Sequence, residues 1–134
     1  MRFIDSNVFI YHVAGDERYG ETASKIIERI SKGEEVAAST LVLAQVIAYL
    51  RWKKRTHVIP RFIDFLRSSP TIHKLETDFA DLVSAQKLQE EAGVEWEAWD
   101  DLVIAAQMLR TGTTEIYSND KDFDAIPGIR RVFI

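Results

Sequence analysis

Met1-Arg2-Phe3-Ile4-Asp5-Ser6-Asn7-Val8-Phe9-Ile10 is the stretch on which the fold turns. A short apolar run, Phe3 and Ile4, stops at an acid, and an amphipathic segment begins directly after it. That is the pattern of a strand, an Asp, a Ser/Asn cap and a helix. In an open α/β sheet, ligands bind beyond the C-terminal ends of the strands, so this order places Asp5 on the functional edge. The same residues also suit an ordinary helix cap, with Asp5 and Ser6 satisfying the first free N–H groups. Where the other acids fall decides between the two.

Outward from this strand, Asn7 to Val13 reads as a helix and residues 14–17 as a turn. A second helix spans Glu21 to Lys32, with Ala23, Ile26, Ile27 and Ile30 on one stripe and Gly33 closing it. Val36 to Ser39 is a short buried strand, and Ser39 or Thr40 caps a third helix from Leu41 to about Lys54. Leu43, Val46, Ile47 and Leu50 line that helix, with Gln45 on roughly the opposite side. Apolar residues nearly surround its first half, which implies contact on more than one face and makes a homodimer the expectation. Further helices are expected over Val58–Ser68, from a Thr77 cap to Glu91, and from Asp100-Asp101 through Leu109. A weak strand lies at Thr71–Leu75, a short one at Glu115–Tyr117 and a final one at Arg131–Ile134, and Glu95 to Trp99 reads as a loop. Strands alternating with helices give an α/β class, a mostly parallel sheet covered on both faces.

At 134 residues the chain reads as one domain, 1–134, large enough to bury a core without staples. The absence of cysteine excludes disulfides and thiolate metal sites and suits a cytoplasmic setting. No apolar stretch is long enough to span a bilayer, and no secretory signal pattern opens the sequence. A formal net charge of −4 argues against coating nucleic acid by bulk electrostatics, while leaving room for a local basic groove.

Asp5 follows the first strand, Asp120 follows the fourth, and Asp101 starts the helix that feeds the fourth. Strand C-termini and helix N-termini share one edge in right-handed β-α-β units, so the three carboxylates are expected to meet there. Crowded carboxylates repel and raise each other's pKa unless a cation sits among them. An all-oxygen donor set suits Mg²⁺ or Mn²⁺, which can activate water and stabilise charge on a phosphoryl oxygen. Each acid also has an ordinary role open to it. Asp100 or Asp101 makes a good N-cap, Asp120 suits an Asx-turn, and Asp122 reads as a solvated loop acid capping the turn before Pro127.

Four segments in order, Phe3-Ile4-Asp5-Ser6-Asn7, Ser39-Thr40-Leu41-Val42-Leu43-Ala44-Gln45, Asp101-Leu102-Val103-Ile104-Ala105-Ala106 and Ser118-Asn119-Asp120-Lys121-Asp122-Phe123, resemble the PIN domain, and most closely the VapC toxins of toxin–antitoxin pairs. The resemblance spans essentially the whole chain. It implies a three-layer α/β/α sandwich and a Mg²⁺- or Mn²⁺-dependent ribonuclease acting on RNA, dimeric and restrained by a VapB-type antitoxin. By position it makes Asp5, Asp101 and Asp120 the metal-binding, catalytic acids. Asn7, Ser118 and Asp122 become supporting residues. Gln45 departs from the pattern, which usually has Glu there; an amide can still accept hydrogen bonds but brings no charge. From the sequence alone, Gln45→Glu is expected to raise metal affinity. The alternative is a catalytically impaired PIN-like module that binds RNA or protein without cutting.

Arg51-Trp52-Lys53-Lys54-Arg55 is the strongest basic run. It suits the C-terminal end of a helix on electrostatic grounds, and it equally suits a nucleic-acid or partner contact with Trp52 stacking on a base. Trp96 and Trp99 precede the acid pair, as core cover or as the rim of a cleft. His12, His57 and His73 lack metal-ligand spacing and read as structural or surface residues.

Overall fold

Phe3 and Ile4 are neighbours in β1 (Arg2–Ile4) and so face opposite sides of the sheet, yet neither exposes any surface. All of β2 (Val36–Ser39) is buried as well. The computed structural model, which describes residues 1–134, therefore has a central sheet covered on both faces. β3 (Ile72–Leu75), β4 (Glu115–Tyr117) and β5 (Arg130–Val132) complete it in the order β3-β2-β1-β4-β5, and every pairing is parallel. Phe3 stands opposite Ala37 on one side and Ile116 on the other. The chain moves from β1 through β2 to β3, then returns past β1 to β4. That reversal leaves a crevice between the C-terminal ends of β1 and β4.

Six helices, α1 (Ser6–Ala14), α2 (Gly20–Ser31), α3 (Thr40–Trp52), α4 (Ile59–Arg67), α5 (Phe79–Ala92) and α6 (Trp99–Arg110), make the outer layers. Thirty buried apolar residues from strands and helices form one continuous core. α1 starts on the Asp5 cap and ends at Gly15, whose φ of 60° only glycine takes up cheaply. In α3, Val42, Val46 and Leu50 recur every four residues and are fully buried, and the Ser39 hydroxyl caps the helix by accepting from the Val42 N–H. α6 is buried without interruption from Asp101 to Met108, the sign of a helix apolar on nearly every side. Because Asp101 opens that buried stretch, its carboxylate has little access to water.

Several boundaries differ from the sequence expectation. α5 is capped by Asp78 rather than Thr77, in a reciprocal box with Asp81 that outcompetes the hydroxyl. Ala98 occupies the cap position of α6, so neither Asp100 nor Asp101 caps it; both lie in its first turn. The expected loop before α6 contains a 3-10 turn, Trp96–Ala98. β5 pairs over Arg130–Val132, one residue earlier and two shorter at its end. No helix is long and apolar enough to cross a membrane.

Candidate metal centre

Asp5 sits one residue past β1, and its N–H donates to the Tyr117 carbonyl at 2.9 Å, which fixes it against the end of β4. The two roles open to it from sequence turn out to be compatible. Its Oδ1 caps α1 by accepting from the Ser6 N–H at 2.7 Å. Its Oδ2 faces the crevice and accepts from the Ser118 hydroxyl at 2.7 Å and the Asn7 amide at 3.2 Å. Ser118 is fully buried and uses its whole hydrogen-bonding capacity here. It donates to Asp5 and accepts from Asn7 Nδ2 at 3.1 Å and from the Asp120 N–H at 3.0 Å. The Asn7 carbonyl in turn accepts from the Asn119 N–H at 3.3 Å. Asn7 and Ser118 thereby lock the β1 and β4 ends together around Asp5.

Asp120 caps the 3-10 turn Lys121–Ala125 through the Asp122 N–H at 3.0 Å. The cap expected from Asp122 is thus made by Asp120, and Asp122 contributes its backbone and an exposed carboxylate. Asp101 arrives from α6, and one carboxylate oxygen each of Asp5, Asp101 and Asp120 lies within 4.8 Å of the others. No lysine or arginine forms an ion pair with any of the three. Burial, a hydrogen bond shared with Asp120, and the charges of Asp120, Asp5 and Asp122 push the Asp101 carboxyl up to about 9. Burial also raises Asp5, against the hydrogen bonds from Ser118 and Ser6 that favour its charged form. Two buried acids and a third at their side, with no protein cation among them, is an arrangement that a divalent ion relieves. The donor set is all oxygen, as hard cations prefer.

Gln45 does not reach the three acids directly. Its Nε2 donates to Asp100 Oδ2 at 2.7 Å, and its Oε1 is buried without a hydrogen-bond partner. Sequence reading missed this pairing, because nothing in the spacing of residues 45 and 100 signals contact between α3 and α6. The basic run lies elsewhere. α3 begins at Thr40, next to the sheet edge, and at 1.5 Å per residue Arg51 lies roughly 16 Å further along its axis. Arg51, Trp52, Lys53, Lys54 and Arg55 are all exposed, none of the four cations has an ion-pair partner, and Lys53 Nζ stands 4.6 Å from the Trp52 ring centre. Trp96 is 56% exposed and leans on the half-buried Trp99, with 5.8 Å between ring centres. His12 bonds Ser24 and His73 bonds Glu35, consistent with structural roles.

The sequence matches the PIN-domain family over residues 2–129. The chain belongs to the PIN-domain family. A PIN architecture is shared with solved structures at low sequence identity. The VapC20 toxin of Mycobacterium tuberculosis, which cleaves the sarcin-ricin loop, is 18% identical, with each chain covered completely and a TM-score of 0.82. VapBC2 of Rickettsia felis, bound to a promoter DNA fragment, is 17% identical over 98% of this chain and 96% of that one, with a TM-score of 0.72. A toxin–antitoxin complex from Klebsiella pneumoniae is 16% identical over 97% and 96%, with a TM-score of 0.69. Comparison with curated protein sequences finds no match. PIN nucleases use divalent metals, and the three clustered aspartates are a donor set of that kind.

Proposed function

We propose that this PIN domain is a divalent-metal-dependent endoribonuclease, the toxin of a type II toxin–antitoxin pair, with Asp5, Asp101 and Asp120 holding Mg²⁺ or Mn²⁺. The observation that carries this is the meeting of three carboxylates within 4.8 Å, two of them buried, with no protein cation between them. When bound, the ion lowers the pKa of a water molecule and stabilises charge on a phosphoryl oxygen. The chain's own part is preorganisation. Ser118 and Asn7 orient the inner oxygen of Asp5, the turn after β4 orients Asp120, and the wall of α6 excludes water around Asp101. To serve as a ligand, Asp101 would have to be in its charged form, against the burial and acidic neighbours that raise its pKa. Asp122 adds negative charge at the mouth without joining the cluster.

An RNA strand with its scissile phosphate at the acids would reach the cations of Arg51, Lys53, Lys54 and Arg55 only well away from the cut, and Trp52 offers an exposed ring for stacking there. A VapB-type antitoxin has a place to seat an apolar segment. Phe9, Val13, Val58, Phe62 and Phe65 line a recess of about 230 Å³ between α1 and α4, with Arg61 at its wall. The Rickettsia and Klebsiella neighbours are themselves toxin–antitoxin assemblies. A homodimer would cover Phe79, Leu82 and Val83, an apolar stripe exposed on α5. A cytoplasmic location accords with an RNA substrate.

The test is RNA cleavage by the purified chain in Mg²⁺, in Mn²⁺ and in EDTA, with Asp5→Asn alongside. Cleavage that needs the metal and vanishes in the variant is expected. RNA or partner binding with no turnover in either metal would instead establish the non-cutting module.

A further inference from the structure

We propose that Asp100 and Gln45 act as one unit beside the three acids: Asp100 supplies a negative charge from the α3 side, and Gln45 positions it and offers a carbonyl to the ion's water shell. The proposal rests on the metal-dependent reading above and deepens it. Asp100 precedes Asp101 in the first turn of α6, and successive helix positions point about 100° apart. Asp101 therefore faces the cluster while Asp100 turns toward α3, where Gln45 Nε2 meets its Oδ2 at 2.7 Å. Only the NH₂ end of an amide can face a carboxylate, so this bond dictates the direction of Gln45 Oε1.

That oxygen is buried and has no donor. The one other buried side-chain polar atom without a partner, Gln107 Oε1, lies on a residue whose amide bonds Thr77 and Asp81, within the α5–α6 packing. Gln45 Oε1 belongs instead to the contact between α3 and the first turn of α6, where Asp100, the partner of its amide, directly precedes Asp101 of the cluster. Water molecules bound to a hard divalent cation present hydrogen-bond donors outward, and Mg²⁺ keeps several of them. A buried carbonyl oxygen lacking a donor and the solvent-exposed Asp100 carboxylate, of which only Oδ2 is hydrogen-bonded, form the matching acceptor surface. The amide on α3 carries no charge; the carboxylate it grips does.

The test is Mn²⁺ binding by the full chain, measured by calorimetry and by water-proton relaxation, which counts waters kept on the ion. The chain is compared with Asp100→Asn, Gln45→Glu, the double variant Gln45→Glu/Asp100→Asn, and Asp5→Asn. Melting curves in EDTA show that each variant folds. Asp100→Asn is expected to lower affinity about tenfold, the range for groups acting from outside the ligand set. Gln45→Glu is expected to give no gain, because the new carboxylate meets Asp100 at hydrogen-bond distance; this reverses the expectation from sequence alone. The double variant exchanges amide and carboxylate across the same contact and is expected to return to within about threefold of the original affinity. Wild-type affinity in Asp100→Asn, or a double variant no better than Asp100→Asn, overturns the proposal while leaving the metal site intact if Asp5→Asn has lost binding. Unchanged binding in Asp5→Asn overturns both.

Discussion

Two buried aspartates in this protein live under opposite electrostatic rules. Asp81, on α5, is 1% exposed; Asp101, on α6, is 8% exposed. Burial works against ionisation in both. At Asp81 it is outweighed by the Asp78 N–H, the Arg110 guanidinium at 2.9 and 3.2 Å and the Gln107 amide at 3.2 Å, and the carboxyl stays below its usual range. At Asp101 every neighbour that matters is another acid, and the carboxyl climbs to about 9. A carboxylate that serves the fold brings its own cation. One gathered with other acids and no cation, as Asp101 is, is held away from ionisation, and the fold carries the cost.

The most forceful way to break this contrast is Asp101→Asn. Mn²⁺ affinity should fall by more than about a hundredfold, beyond the loss typical of outer groups. Metal-free stability at neutral pH should rise, because Asn is neutral in the folded and unfolded chain alike, whereas Asp101 must take up a proton to fold. Calorimetry and melting in EDTA check both, and a destabilised metal-free variant would show that Asp101 is a structural acid after all.

pH sharpens the same contrast without mutation. The folded-state pKa of Asp101 lies above its value in the unfolded chain, so the folded state binds the proton more tightly. Metal-free stability from this group is therefore fully present below pH 4 and is lost as pH rises toward 9. Metal binding displaces that proton, so Mn²⁺ affinity should climb by up to about tenfold per pH unit across pH 6–8. A flat affinity profile would mean that Asp101 is already ionised in the fold.

The smallest effect on the site, though not on the fold, is expected from Asp81→Ala. It strips the α5 capping box, leaves Arg110 without its acceptor and leaves Gln107 with Thr77 alone. Since Arg110 is 43% exposed, the loss should sit below that of a fully buried pair, at about 2–3 kcal/mol, with Mn²⁺ affinity unchanged. Thermal melting and calorimetry together decide it; a fall in metal affinity would show that the two regions are coupled.

Element type was legible from local pattern almost throughout, because periodicity and caps are short-range properties. The stripe in α2, the strand at residues 36–39 and the acid-terminated first strand all formed as read. The boundaries that moved did so through competition among side chains. Asp78 had Asp81 three residues on to reciprocate and Thr77 did not, so the cap shifted by one residue. Ala98 took the cap position of α6 because the preceding Trp96–Ala98 turn already carried the chain into a helical path. Of the site, Asp5, Asp101 and Asp120 could be brought together on paper by the logic of parallel strands. Ser118 was marked as a supporting residue only through the family resemblance, its role as a hydrogen-bond hub was not, and the Gln45–Asp100 contact was not marked at all.

Residue order was enough to specify an α/β chain with acids at one rim of its sheet, since hydrophobic period and strand direction need no distant partner. Which acids became buried, which one kept a counter-ion and which way Gln45 turned its amide depended on how α3, α5 and α6 stack. Those outcomes arise from contacts between segments far apart in sequence, where desolvation and charge act across space rather than along the chain.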